Sequence, residues 1–206
     1  MGNYTLTGTF KMVRSTGLFL FIALVAGCAQ SPTNDGGKQE FEGIYFVENE
    51  SVDAKVRDDF RTAVELLRDE HYEAAIDVLK EVVKASHNNS APYINIAMAY
   101  SKIDKAELAE ENFKKALEIN PEHPVALNEY ALFLRDDGRY SEARELYETA
   151  VKKYPEYMPV RRNYGILCDL YLNEPRCALE HYEVYSEANP KDEDVKIWIT
   201  TLKQKL

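Results

Sequence analysis

The chain has 206 residues, with 35 acidic against 25 basic side chains and a formal net charge of −10. Double-stranded nucleic acid is held by Lys and Arg that neutralise phosphates, and no basic stripe offsets this acidity, so a nucleic-acid-binding role is excluded. The length is one domain's worth and ample for a core.

The first element is the apolar run "LFLFIALVAG", residues 18 to 27, which stops at Cys28 and gives way to a polar stretch. From Gly17 to Gly27 there are 11 apolar or small residues, whereas a membrane-spanning helix needs about 20. Lys11 and Arg14 supply a positive region ahead of the run, and Ala26-Gly27 are the small residues a peptidase requires, so residues 1 to 27 read as a signal peptide. Met12 opens a more ordinary leader than Met1. Met1-Gly2 does not announce myristoylation, since Leu6 stands where that motif wants Ser or Thr. A core helix ending in a buried cysteine is disfavoured because no amphipathic period runs through the stretch.

Leu24-Val25-Ala26-Gly27-Cys28 resembles the bacterial lipobox. That resemblance implies cleavage before Cys28 and lipidation of its thiol. It also implies an outer-membrane address, on the periplasmic face, because Ala29 rather than an aspartate follows the cysteine. Lys11 and Arg14 leave with the leader while no acid does, so the net charge of −10 becomes −12. Residues 28 to 50 then read as the lipidated cysteine and a tether: "AQSPTNDGGKQE" has the Pro, Gly, Asn and Asp of a flexible linker. Phe41, Ile44, Tyr45, Phe46 and Val47 are too apolar for a bare linker. They either dock on the first helices or serve as a sticky segment for a partner, and docking is favoured because exposed apolar clusters are liabilities.

From residue 51 to 206 the chain repeats. Segments 34 residues long begin at Val56, Ser90, Pro124 and Met158, giving units 56–89, 90–123, 124–157 and 158–191, the last with one extra residue. A small residue recurs on each first helix at Ala63, Ala97, Ala131 and Gly165, and another on each second helix at Ala75, Ala109, Ala143 and Ala178. Four residues after the second set come Leu79, Phe113, Tyr147 and Tyr182, and Pro121, Pro155 and Pro190 close three units. Facing small side chains let two helix axes approach, and the large residue one turn on fills the gap between successive hairpins. No unit buries its apolar face alone, so stacking supplies the core.

These columns resemble tetratricopeptide repeats, and the resemblance covers residues 56 to 191. It implies an all-α, right-handed solenoid of antiparallel helix hairpins. Unit three matches best, with Gly138 and Tyr140 at its turn, whereas unit one has Val82 and His87 where alanine and proline are usual. Residues 193 to 206 carry Val195, Trp198, Ile199, Leu202 and Leu206 on one helical face, which reads as a capping helix for the open end. Trp198 is expected to pack against unit four rather than stack on a ligand.

Catalysis finds no support in the sequence. His71, His87, His123 and His181 lie in scattered positions with no His-Glu-x-x-His or Cys-x-x-Cys spacing. Pairs such as Asp136-Asp137 and Glu110-Glu111 are sequence neighbours that point to different sides of a helix, as on a solvated face. No catalytic residue, metal site or cofactor is therefore expected. Cys168 and Cys177 remain once Cys28 is consumed, and in an oxidising compartment they form a disulfide or stay as two small buried hydrophobes.

The resemblance implies a concave groove lined by the first helix of each hairpin, with a protein or peptide segment as partner. Its fifth column is Phe60, Ile94, Asn128 and Arg162; its ninth is Val64, Met98, Leu132 and Ile166; Arg135, Asp136, Asp169 and Leu170 follow. The groove is thus expected to be apolar at its amino-terminal end and polar at the other. The family's clamp for a free carboxyl terminus needs a lysine and an asparagine that Phe60-Val64 and Ile94-Met98 do not supply. In its lipobox, tether and repeats the chain resembles the tetratricopeptide lipoproteins of type IV pilus biogenesis, which implies a scaffold in envelope assembly. The alternatives are an accessory regulator of a cell-wall enzyme, or an enzyme in its own right.

Overall fold

The computed structural model describes residues 53–86 and 88–206. The leader, Cys28, the tether and the Phe41 to Val47 segment lie outside the described residues, as does His87.

Helices pair in chain order: α1 (Ala54–Arg68) with α2 (Tyr72–Ala85), α3 (Ser90–Lys102) with α4 (Ala106–Ile119), α5 (Pro124–Asp136) with α6 (Tyr140–Lys153), and α7 (Met158–Ile166) with α8 (Pro175–Ala188). A last helix, α9 (Glu193–Lys205), follows alone. Three of the first helices, α1, α3 and α5, and the lone α9 start on a side-chain cap, whereas α7 does not. Asp53 accepts from the Lys55 amide at 2.7 Å, Asn89 from Ala91 at 3.0 Å, His123 from Ala126 at 3.3 Å and Asp192 from Val195 at 3.2 Å. Each satisfies an amide that the helix itself leaves open. The second helices α2, α4, α6 and α8 have no such cap; they begin straight after a tight reversal.

Each reversal is the same device. One residue takes the left-handed conformation: Glu70 at φ 61°, Asp104 at 57°, Gly138 at 80° and Asn173 at 54°. The next amide closes a long turn onto the preceding helix, from His71 to Leu66, Lys105 to Tyr100 and Arg139 to Leu134, at 2.8 to 3.0 Å. This is the wide hydrogen bond of a left-handed helix terminus. In unit four the bond runs from Glu174 to the Cys168 carbonyl, one residue farther. The extra residue is taken up by a π-helical segment, Leu167–Tyr171, that continues α7.

Packing follows the repeat. Ala63, Ala97, Ala131, Ala75, Ala109, Ala143 and Ala178 are fully buried, as are Leu79, Phe113, Tyr147 and Tyr182. The aromatic of one second helix meets an aromatic of the next unit's first helix. Phe113 stacks on Tyr130 at 5.3 Å, Tyr147 on Tyr164 at 5.6 Å, and Tyr182 meets Trp198 of α9 at 5.3 Å. Offset ring pairs at these distances add to area burial and tie hairpin to hairpin. Trp198 thus packs on unit four, and Val195 and Leu202 are buried beside it. Leu206, assigned by the wheel to the same face, is exposed because it lies beyond the last helical turn.

Candidate functional site: the first-helix face

The ninth-column residues Val64, Met98, Leu132 and Ile166 are half-buried along the first-helix face. Met98 and Ile166 reach down onto the core. The fifth column differs from the sequence expectation. Phe60 is 3% exposed, Ile94 1% and Asn128 1%, so none of these offers a surface to a partner. The small Ala63 and Ala97 let the helices close, and the fifth-column side chains are engulfed between neighbours rather than left on the groove floor. The amino-terminal end is therefore much less apolar at its surface than the sequence suggests.

Asn128 is a structural bridge. Its Nδ2 donates to Glu129 Oε1 at 2.8 Å, and its Oδ1 accepts from Asn163 Nδ2 of α7 at 3.0 Å. Burial pushes the Glu129 carboxyl up to about 7, opposed by the Asn128 hydrogen bond and the charge of Lys102.

The two arginines assigned to the polar end are engaged within the protein. Arg135 donates from Nε and Nη2 to Asp136 Oδ1 at 3.1 and 2.9 Å and lies over the Tyr171 ring at 5.5 Å. Arg162 lies over the Trp198 ring at 5.3 Å, its Nε 3.9 Å from Asp192. Asp169 sits half-exposed in the π segment. Next to it the surface turns apolar: Leu170 is 71% exposed and Tyr171 40%. Sequence reasoning placed Leu170 on this face but missed Tyr171. The available signal was the single break in the 34-residue period.

Cys168 and Cys177 are joined by a disulfide, with Cα atoms 5.8 Å apart. Glu174 brings a carboxylate near the two sulfurs, but the bond occupies both thiols and Arg144 holds the carboxylate at 2.6 Å. A cleft of about 540 Å³ opens between α2, α3 and α4, over Tyr93 and Tyr100. Among the described residues, no helix is long and apolar enough to cross a membrane.

A family described as YpiA-like, C-terminal tetratricopeptide repeats matches residues 92–156. The type IV pilus assembly protein PilF of Pseudomonas aeruginosa is 26% identical over 197 residues, covering 92% of this chain and 72% of that one. The probable UDP-N-acetylglucosamine–peptide N-acetylglucosaminyltransferase SPINDLY of Solanum lycopersicum is 28% identical over 85 residues, 41% of this chain. This chain spans only 9% of that relative's length. The solved structure of P. aeruginosa PilF superposes with a TM-score of 0.67 at 25% identity, covering 73% of this chain and 69% of that one. PilW, described as a widely conserved type IV pilus biogenesis factor, gives 0.63 at 21% identity, covering 70% and 66%. Hairpins repeating at one spacing and small columns on facing helices agree with these likenesses: the described residues fold as an all-α solenoid of tetratricopeptide-like repeats, and residues 92–156 match a tetratricopeptide-repeat family.

Proposed function

We propose that the protein is a lipid-anchored scaffold on the periplasmic face of the outer membrane, held through Cys28, that organises a protein assembly of type IV pilus biogenesis. The tetratricopeptide fold binds protein or peptide segments, and the repeats here present one continuous first-helix face for that purpose. The observation that carries the reading is the PilF match. At 92% of the chain the likeness extends beyond the repeats into the segment that holds Cys28, which supports the reading without bearing on lipidation. On this reading residues 1 to 27 are removed, residues 28 to 50 tether the domain, and residues 51 to 206 do the binding. The partner surface comprises Val64, Met98, Leu132 and Ile166 with Asp169, while Arg135 and Arg162 order its carboxy-terminal end.

Two measurements test it. Cys28→Ser should abolish incorporation of labelled fatty acid and release the protein from the membrane fraction; a membrane-bound, uncleaved variant would refute the anchor. Deleting the gene should abolish surface pili and secretin multimers, and the wild-type gene should restore both. Normal pili with altered peptidoglycan composition would instead favour a regulator of cell-wall synthesis.

A further inference from the structure

Where unit four departs from the repeat, two adjacent apolar side chains are turned out to solvent; among the described residues Ile197, Leu206 and Leu108 are exposed as well, but singly. Counted from the start of each unit, position 170 corresponds to Arg68, Lys102 and Asp136, all charged; counted back from the left-handed residue of each reversal it corresponds to Leu67, Ser101 and Arg135. The π segment Leu167–Tyr171 re-aims this turn, and single π turns within α-helices recur at functional sites. The result is Leu170 at 71% and Tyr171 at 40% exposure, side by side.

The segment is held in place from several sides. Cys168 is buried and bonded to Cys177. The Tyr171 ring meets that of Tyr140 at 5.1 Å and lies under the Arg135 guanidinium at 5.5 Å. A tyrosine held in this way loses little conformational freedom when a partner covers it.

Its surroundings indicate the partner's charge. The neighbouring turn carries Asp136 and Asp137, with side chains 61% and 52% exposed, and Asp169 precedes Leu170. Arg135 is only 12% exposed and is bound to Asp136; Arg139 lies 4.0 Å from Asp137 but is held more closely by Glu110 and Glu142, so acids outnumber bases around this turn and its net charge is negative. A second copy of so acidic a chain would bring like charge against like.

We propose that Leu170 and Tyr171 form a docking site for a partner protein segment that presents an apolar side chain flanked by lysine or arginine. This rests on the scaffold reading and specifies the chemistry of what the scaffold holds. The apolar residue covers Leu170 and Tyr171, and the basic neighbours face the aspartates, a contact that salt weakens.

The test uses the full chain and three short fluorescent peptides in anisotropy titrations. One carries leucine and phenylalanine among lysines, a second has glutamate for each lysine, and a third has serine for each apolar residue. The first should bind, the others should not, and Leu170→Ser or Tyr171→Ser should weaken it by about tenfold or more. Asp136→Asn with Asp137→Asn should weaken it too, while a melting curve confirms that each variant is folded. The proposal is overturned if the lysine peptide does not bind, if the glutamate peptide binds equally, or if folded Leu170→Ser retains full affinity. Sedimentation showing a dimer that Leu170→Ser dissolves would overturn it in favour of a second copy. Cys28→Ser should leave peptide affinity unchanged, so failure of the anchor and failure of this site read out separately.

Discussion

The Tyr182 ring stands where a side chain on Gly165 would be: a Cβ built on that glycine lies 2.5 Å from both Cδ1 and Cε1 of the ring. Helices α7 and α8 approach that closely because one contributes no side chain and the other a flat ring. Tyr182 is itself backed by Trp198 of α9 at 5.3 Å, so it has nowhere to retreat. Gly165→Ala should therefore destabilise the protein by about 1 to 3 kcal/mol through overpacking, even though alanine is the better helix former. Urea unfolding of Gly165→Ala, Tyr182→Leu and the double variant checks it. The double variant should recover part of the alanine penalty, and strict additivity would show that the contact is not the cause.

The helix reversals offer a test in both directions. Glu70 and Asp104 hold left-handed backbone angles in which a β-carbon is unfavourable. Glu70→Gly and Asp104→Gly should each stabilise the chain by about 1 kcal/mol. Gly138→Ala should cost a similar amount; since no atom lies within 4 Å of the added Cβ, the penalty is conformational rather than steric. Melting temperatures should rise for the first two variants and fall for the third.

Stability should vary with pH from two opposing causes. Burial holds His123 down at about 4, and burial with the Arg161 guanidinium holds His181 at about 4, against an ordinary 6.5. The unfolded chain then takes up protons first, so the stability these groups contribute is complete above 6.5 and is lost as pH falls toward 4. Glu129 works the other way. With its carboxyl raised from 4.5 to about 7, its contribution is complete below 4.5 and is lost as pH rises through 7, by about 1 to 3 kcal/mol. Denaturant titrations should show Glu129→Gln gaining on wild type between pH 4.5 and 8. His123→Asn, which keeps an acceptor for the Ala126 amide, should gain on wild type between pH 6.5 and 4.

The disulfide between Cys168 and Cys177 closes a loop with a sequence separation of 9. A loop that short contributes about 2 to 3 kcal/mol by restricting the unfolded chain. Cys168→Ser with Cys177→Ser should lower stability by that amount, with the loss centred on unit four. Alkylation without reductant followed by mass spectrometry should leave both residues unmodified; two alkylated thiols would contradict the bond.

Much of the architecture could be read one residue at a time because each unit must present the same small and large groups to its neighbours. The alanine columns, the aromatic one turn on and the lone helix after unit four all follow from that requirement. The expectation of a lipobox is equally local, since it depends only on Leu24 to Cys28, which lie outside the described residues. Exposure is different. Phe60 and Ile94 share a column with Asn128 and Arg162, yet only the packed neighbours decide that Phe60, Ile94 and Asn128 are interior while Arg162 lies over Trp198. A helical wheel gives the direction of a side chain, not how closely the next helix approaches. The extra residue of unit four was likewise visible as a 35-residue step from Ala143 to Ala178. Where it is absorbed was settled by backbone hydrogen bonding, in the π segment and the bond from Glu174 to Cys168. That turn, and not the composition of the groove, is what brings Leu170 and Tyr171 to the surface.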